Sequence, residues 1–234
     1  MSDRKFGDEL PDDFTCLAVE TSSSVSSIAA CAGGRVACSE YGSPGEQSRQ
    51  VYACVSDVLR EVGLGLPELD CIAFGRGPGG FTGLRVGAAV AQALAFGAGL
   101  PVCRVSSLAV LALAAMREHG VEHVAACIDA RMGEAYIGIY RRDGDRVVAE
   151  LEDQLVTPAT YTLPDAGKLF AAGGGWDAFP ELAATNAAHL EGQDISLIPA
   201  ADALLSLAVA SYRDGQMVAP HEAVPNYVRD RVTS

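Results

Sequence analysis

Two stretches of the chain repeat one pattern of apolar runs, carboxylates and turns. In the first, the apolar run FTCLAVE ends at Glu20, and two further runs follow, joined by a turn at Gly33. In the second, the run VAACID ends at Asp129, and two further runs follow, joined by a turn at Asp143. Runs of this length bounded by such turns predict β-strands joined in hairpins. The predicted strands are 14–20, 25–31, 35–41, 124–129, 134–140 and 146–152.

The spacing within the two stretches is nearly the same. Gly33 follows Glu20 by 13 residues, and Asp143 follows Asp129 by 14. Two copies of one strand, acid, connector, strand, turn and strand unit suggest an internal duplication. Two unrelated β-meanders with similar spacing are the alternative.

Helical periodicity occupies the segments between these strands. Residues 48–62 carry apolar side chains at the i, i+3, i+4 and i+7 positions, which predicts an amphipathic helix. Further helices are predicted at 83–96, 108–118 and 203–212, and short strands at 71–74 and 101–105. Strands that alternate with helices in this way indicate an α/β fold with a parallel or mixed sheet.

The second predicted helix carries a stripe of small residues. Gly87, Ala91 and Ala95 recur every four residues, so they share one face. A smooth face of this kind lets another element approach closely, either a partner's helix or the helix's own lobe.

Charge and cysteine usage narrow the class of protein. The chain has 234 residues, of which 30 are acidic and 17 basic, for a net charge of −13. This balance argues against a protein that grips nucleic acid by itself, because phosphates require a basic surface. The seven cysteines form no C-x-x-C pair, and most lie in apolar strand-like runs, so we expect free buried thiols rather than a metal or redox site.

Neither the N-terminal residues nor the most apolar stretch of the chain predicts a membrane protein. Residues 1–13 are charged and are predicted to be a flexible leader, not a signal peptide. The most apolar stretch, 86–105, is interrupted by glycines, a proline and an arginine, so we expect no membrane span and a cytoplasmic location.

The most unusual local feature is the glycine loop GRGPGGFTGLR at 75–85, between a predicted strand and a predicted helix. Thr82 is placed to cap that helix, and a helix N-terminus suits an anion. The spacing matches neither the Walker pattern nor the dinucleotide fingerprint. A phosphate cradle and a purely structural turn are both compatible with it. The loop residues of interest are Gly75, Gly77, Gly79, Gly80, Thr82 and Gly83.

Four blocks of the sequence resemble the bacterial TsaB (YeaZ) family. They are LAVETSSSVSSIAA, CIAFGRGPGGFTGLRVGAAVAQALAFGAGLPVCRVSSLAVLA, IDARMGEAYIGIY and PNYVR. The resemblance implies the actin-like, sugar-kinase-like fold (ASKHA), with two lobes each built on a β-β-β-α-β-α unit. The lobes would be residues 14–118 and 119–234.

The resemblance also implies a function. Family members partner a catalytic paralogue of the TsaD type and an ATPase of the TsaE type, which place threonylcarbamoyl on the adenosine beside the anticodon of ANN-decoding tRNAs. The subunit would be a non-catalytic scaffold that docks through its first two long helices, could form homodimers when alone and would meet tRNA only indirectly. Any ATP, ADP or metal would belong to the partner complex. Candidate docking residues are Tyr52, Ser56, Arg60, Arg85, Ala89 and Gln92.

The paralogue's metal-binding motif, of the form N-H-x-E-x-H, falls on residues 106–111 of this chain. Its two histidine positions hold Ser107 and Leu111, which cannot bind a metal as imidazole does. His119 and His123 have i, i+4 spacing, but Gly120 lies between them, so we expect them to straddle a helix end and a strand start.

Glu20 and Asp129 lie at the strand ends where phosphotransferases of this fold keep acids. They could face each other as a magnesium or general-base pair, or each could anchor its own turn, which we expect. Two departures from relatives point away from catalysis: Gln47 replaces a frequent histidine, and Gly80 a frequent serine. An independent phosphotransferase or metallopeptidase is the alternative function.

Overall fold

The computed structural model describes residues 10–42, 47–144 and 146–228. Most of the predicted leader, the side chain of Gln47 and the last residue of the PNYVR block lie outside the described residues. The strands are β1 (Cys16–Glu20), β2 (Ser26–Ala32), β3 (Arg35–Tyr41), β4 (Cys71–Gly75), β5 (Val102–Val105), β6 (His123–Arg131), β7 (Glu134–Asp143), β8 (Arg146–Val156), β9 (Leu169–Ala172), β10 (Leu190–Asp194) and β11 (Met217–Val218). The helices are α1 (Gln47–Val62), α2 (Phe81–Ala98), α3 (Ser107–His119), α4 (Gly175–Ala178), α5 (Pro180–Thr185) and α6 (Ala201–Arg213), with short 3-10 turns at Leu66–Glu68 and Pro220–Glu222.

The strands form two mixed sheets with a shared central pattern. The first sheet has the order β11-β5-β4-β1-β2-β3 and the second the order β10-β9-β6-β7-β8. In the first, β1 pairs antiparallel with β2 and parallel with β4. In the second, β6 pairs antiparallel with β7 and parallel with β9. The predicted α/β class is therefore confirmed, and the repeated strand order agrees with the predicted duplication.

Alternating side chains of the first sheet bury two separate cores. Leu17 and Val19 of β1 lie in the core that α1 and α2 cover. Cys16 and Ala18 point to the opposite core, which is closed mainly by α6. The apolar side chains of β1, β2, β4 and β5 in these cores are all fully inaccessible except Ala32 and Val105, which are each 7% exposed. Such burial on both faces requires near-continuous apolar strands, as the sequence has.

Helix α3 lies between the two sheets. Val110 and Leu113 belong to the core of the first sheet, whereas Leu108 and Leu111 pack with Val124 of the second. Helix α6 packs against α3 and against the first sheet. An all-round apolar helix such as α3 is what a position between two layers requires.

The boundary between the lobes at residue 119 remains a prediction. After it has formed the second sheet, the chain returns to the first. Helix α6 and strand β11 follow the whole second sheet in sequence, yet α6 packs on β1 and β2 and β11 pairs with β5. The end of the chain therefore completes the first sheet. The segment after β11 continues along α2, where Ala223 is buried.

The prediction that Thr82 caps α2 is wrong. The helix begins at Phe81, its N-cap is Gly80, and no side chain bonds to the cap. The Gly80 amide donates to the Ser22 carbonyl at 2.8 Å, and its carbonyl accepts the first hydrogen bond of the helix from the Leu84 amide at 3.0 Å. By contrast, α3 has a side-chain cap, since Ser106 accepts hydrogen bonds from the amides of Leu108 and Ala109.

By length and composition alone, α2 could also cross a membrane, with a mean hydropathy of 1.2 over 18 residues. Core helices of soluble proteins pass the same test, and α2 packs against β4 and β1.

Candidate functional site

The glycine loop packs against the turn that follows β1, which we call the β1 turn (residues 20–22). A Cβ built on Gly75 would lie 2.0 Å from a carboxylate oxygen of Glu20. A Cβ built on Gly79 would lie 2.6 Å from both the Cβ and the carbonyl oxygen of Ser22. Gly75 cannot carry a side chain unless the Glu20 carboxylate moves, and Gly79 cannot carry one unless the backbone of the β1 turn moves, because real Cβ atoms do not approach other atoms this closely.

The first turns of α2 continue the same packing. A Cβ on Gly83 would lie 1.9 Å from the carbonyl oxygen of Thr21, and one on Gly87 would lie 2.4 Å from its Oγ1. The Thr21 hydroxyl donates to the Gly83 carbonyl at 2.8 Å, and the Gly80 amide donates to the Ser22 carbonyl at 2.8 Å. These contacts favour the structural reading of the loop, since the space that its glycines leave is filled by the chain itself.

Gly77 is also explained by local packing. Its φ is +97°, a left-handed conformation that favours glycine, and a Cβ there would lie 2.9 Å from a methyl group of Leu84. Its carbonyl accepts a hydrogen bond from the Ser107 amide at 3.0 Å, which joins the loop to the start of α3.

Glu20 is a fully buried carboxylate held by two donors. The Ser22 amide donates to one oxygen at 2.8 Å and the Ser107 hydroxyl to the other at 3.2 Å. Burial raises the pKa of this carboxyl, and the hydrogen bonds from Ser22 and Ser107 oppose the rise. The side chain therefore anchors its own turn and links it to α3.

Asp129, the corresponding acid of the second sheet, has a different environment. Its side chain is 32% exposed, and it accepts hydrogen bonds from the Arg131 amide at 2.7 Å and the Arg131 guanidinium at 3.1 Å. Arg131 and Met132 both have positive φ, so this carboxylate stabilises a tight turn between β6 and β7. The two acids thus each bond to their own turn.

The positions of the paralogue's metal ligands are buried here. Ser107 and Leu111 are both fully inaccessible, and Leu111 packs in the core of the second sheet. Within residues 10–42, 47–144 and 146–228, no group of three or more His, Cys, Asp or Glu side chains is arranged to hold a metal ion.

His119 and His123 lie as predicted, at the end of α3 and the start of β6. The His119 ring stacks on Phe170 with centroids 4.6 Å apart, and its Nε2 lies 2.9 Å from an Asp194 oxygen. His119 therefore joins α3 to the second sheet.

On α1, the predicted docking residues lie on the solvent side. Tyr52, Ser56 and Arg60 are all exposed, and Arg60 pairs with Asp57 at 2.7 Å on the same helix. Tyr52 is 52% exposed, so its aromatic side chain is available for contact at this surface.

On α2, the predicted docking residues are bordered by the end of the chain. The Arg85 guanidinium lies 3.8 Å from the centre of the Phe81 ring and donates to the Tyr227 hydroxyl at 3.3 Å. Gln92 is half-buried and its amide donates to the Ala223 carbonyl at 3.1 Å, while Ala89 is exposed.

Sequence reasoning missed the contribution of this C-terminal segment to the exposed surface. Phe81, Val224 and Tyr227 are 48%, 49% and 46% exposed and adjoin Arg85 or the segment beside it. The apolar residues of the PNYVR block were a signal, but only the fold shows that they lie beside α2.

The small-residue stripe of α2 faces its own lobe. Gly87, Ala91 and Ala95 are all buried, and the two alanines belong to the core of the first sheet. The stripe therefore offers no smooth surface to a partner helix.

The chain is similar in sequence to known proteins over most of its length. A family model described as TsaD, tRNA N6-adenosine threonylcarbamoyltransferase, matches residues 46–223. The tRNA threonylcarbamoyladenosine biosynthesis protein TsaB of Escherichia coli K12 is 36% identical over 222 residues, which cover 92% of this chain and 95% of that protein. Its counterpart in Haemophilus influenzae is 36% identical over 234 residues, covering 94% and 96%.

A solved structure shows the same fold. YeaZ from Pseudomonas aeruginosa superposes with a TM-score of 0.85 and 39% identity, over 92% of this chain and 99% of that one. The predicted actin-like, two-lobed fold is thereby confirmed. Sequence and structure agree over nearly the whole length, and the chain belongs to the TsaB (YeaZ) family.

Proposed function

We propose that this chain is a non-catalytic, cytoplasmic partner of a TsaD-type catalytic paralogue, acting with a TsaE-type ATPase. The complex would place threonylcarbamoyl on the adenosine beside the anticodon of ANN-decoding tRNAs. Curated relatives that cover nearly the whole chain are named for the biosynthesis of this modified nucleoside, which supports the pathway. The net charge of −13 supports an indirect relation to tRNA through the partner.

The observation that carries the non-catalytic role is the packing of the glycine loop against the β1 turn. In phosphate-binding loops, glycines leave room for the backbone to approach the ligand. Here the room beside Gly75 and Gly79 holds Glu20 and Ser22, at distances where not even a methyl group would fit. Asp129, the corresponding acid of the second sheet, is likewise bonded to its own turn.

The metal-ligand positions support the same role. Ser107 is engaged with Glu20, and Leu111 is packed among apolar side chains. Recruiting a metal there would require both imidazole ligands and a space that the core does not leave. On this proposal the chain has no cofactor of its own, and ATP, ADP and a metal belong to the partner complex.

The docking surface proposed for the paralogue is the solvent side of α1 together with the start of α2. Tyr52 is exposed on α1. Phe81 and Arg85 of α2 lie beside Tyr227 of the C-terminal segment, so the surface combines exposed aromatic rings with an arginine. Tyrosine and arginine are enriched among the residues that dominate binding energy at protein interfaces. A second copy of this chain would bind the same surface when the paralogue is absent.

Co-purification with the paralogue tests the proposal. Tyr52→Asp puts a charge on the proposed surface and should abolish co-purification and reduce tRNA modification at least about tenfold, since interface hot spots exceed about 2 kcal/mol. Val148→Asp is the matched control, because Val148 is an exposed apolar residue on β8 of the other sheet. Full modification by the paralogue and ATPase without this chain would refute the proposal.

A further inference from the structure

Two consecutive serines at the start of α3 bond to different sheets. The Ser107 hydroxyl donates to Glu20, at the end of β1 in the first sheet, at 3.2 Å. The Ser106 hydroxyl donates to Asp153, on β8 of the second sheet, at 2.7 Å. Tyr140 of β7 completes the second contact: its hydroxyl donates to the other Asp153 oxygen and lies 3.0 Å from that of Ser106. We call these five residues the α3 tie.

Most of the α3 tie is shielded from water. Glu20 and Ser107 are fully inaccessible and Tyr140 is 3% exposed, whereas Ser106 and Asp153 are half-buried. Burial raises the pKa of both the Glu20 and the Asp153 carboxyl, and hydrogen bonds from their hydroxyl partners oppose the rise. Hydrogen bonds that are buried and mutually linked hold their geometry more firmly than exposed ones, and losing one partner leaves another polar group unsatisfied.

The charges around Asp153 are arranged on several elements. Arg76 of the glycine loop lowers the pKa of Asp153 and Glu152 on the same strand raises it. Ser106 is also the N-cap of α3, so the partial positive charge of that helix end lies beside the carboxylate. The tie therefore connects the end of β1, α3 and the β7–β8 hairpin, and the charge of Arg76 acts on it from the glycine loop.

In two-lobed folds, a ligand bound between the lobes commonly holds them closed through contacts to both. This chain has contacts of that kind among its own side chains. We propose that the α3 tie locks the two sheets at one fixed angle without any bound ligand, so that the chain is a pre-set rigid body. The inference concerns the conformation of the free chain and stands or falls separately from the proposed function.

The distance between the sheets in the free chain tests the lock. A spin label on Cys38, an exposed thiol on the first sheet, and one on Asp177→Cys, an exposed site on α4, report this distance by electron double resonance. Cys54, which is half-buried, is replaced by alanine. The remaining cysteines are buried, unlike Cys38, and therefore react slowly with the label. They are Cys16, Cys31, Cys71, Cys103 and Cys127.

With the α3 tie intact, we expect one narrow distance distribution that adenine nucleotides leave unchanged. Asp153→Ala should broaden the distribution about twofold or add a second distance, since the sheets gain the hinge freedom usual for such folds. Glu152→Ala, an exposed neighbour on the same strand, is the matched control and should leave the distribution narrow.

Ser107→Ala provides a second variant that breaks the tie on the side of the first sheet. It removes only one hydroxyl and should also broaden the distribution, with circular dichroism confirming that each variant is folded. A folded Asp153→Ala or Ser107→Ala chain with the narrow distribution of the intact chain would overturn the inference. So would a broad distribution in the chain that carries the complete tie.

Discussion

The Glu20 carboxylate lies directly against the bare Cα of Gly75, so closely that a Cβ there would come within 2.0 Å of one of its oxygens. The acid at the end of β1 and the first glycine of the loop after β4 therefore fit each other. This contact explains a glycine at a position whose backbone is an ordinary strand end, without reference to any ligand. The carboxylate also fills the space that the missing side chain of Gly75 leaves beside the loop.

The first prediction concerns that contact. Gly75→Ala should lower the free energy of unfolding by about 1–3 kcal/mol or more, the usual cost of overpacking a rigid site. Gly97→Ala is the matched control, because Gly97 lies in α2 with no atom within 4 Å of a built Cβ. It should stabilise the chain slightly, by about 0.5–1 kcal/mol. Urea unfolding of both variants measures the difference, and equal stabilities would contradict the packing account.

The second prediction concerns the protonation of Glu20. Its pKa in the folded chain is raised above the ordinary value of 4.5 by burial. Since the folded state then binds the proton more tightly than the unfolded state, its stabilising contribution is full below the unfolded pKa and is lost as pH rises through the folded value. Glu20→Gln removes the titration but keeps the shape.

We therefore expect the unfolding free energy of the natural chain, relative to Glu20→Gln, to fall as pH rises from about 4 towards neutrality. Denaturant unfolding at a series of pH values measures this difference, in which the other titrating groups cancel. A difference that is independent of pH, or that grows with pH, would show that the carboxyl is not buried as described.

The third prediction concerns nucleotides. Because the glycines of the loop pack on the chain's own β1 turn, the isolated chain should show no heat of binding with ATP or ADP in the presence of magnesium. Isothermal titration calorimetry checks this. Tight, magnesium-dependent binding by the isolated chain would support the alternative of an independent phosphotransferase.

The fourth prediction concerns His119, which its spacing to His123 makes a possible metal ligand. Its ring is bonded to Asp194, whose pKa is lowered by hydrogen bonds from Ser196 and His119. A lowered pKa contributes stability above the unfolded pKa that is lost as pH falls through the folded value. The effect of Asp194→Asn should be small, because the pair is partly exposed to solvent, and it should vanish in acid.

The control for the fourth prediction is a chelator. If His119 is purely structural, EDTA and added zinc should leave the thermal midpoint unchanged, whereas Asp194→Asn should lower it slightly at neutral pH. A midpoint that falls with EDTA and recovers with zinc would mean that the histidine holds a metal.

Local patterns predicted most of the elements, and long-range contacts explain what they missed. Strand β3 has the bounds that its turn and apolar alternation indicate, Arg35–Tyr41. The predicted start of α2 differs from the observed one by two residues. Its N-terminus is fixed by the bond from Gly80 to Ser22 of the β1 turn, 58 residues earlier in sequence, rather than by a capping side chain. The return of α6 and β11 to the first sheet has no local signal at all.

The candidate site was predictable in its residues but not in its arrangement. The sequence marks Glu20 and the glycines as unusual, yet only the fold shows that they fill each other's space. The link between Ser106 and Asp153 joins residues 47 positions apart on different elements. Pairing of this kind depends on how the two sheets flank α3, which periodicity does not encode.

The central claim is that this chain supports modification of tRNA without performing chemistry. Its most direct test is the rate of tRNA modification by the reconstituted complex when this chain carries both Glu20→Gln and Asp129→Asn, which remove its two strand-end acids. The account predicts a rate close to that of the natural chain, with omission of the chain reducing the rate strongly. A doubly substituted chain that still co-purifies with the paralogue but no longer supports modification would contradict it.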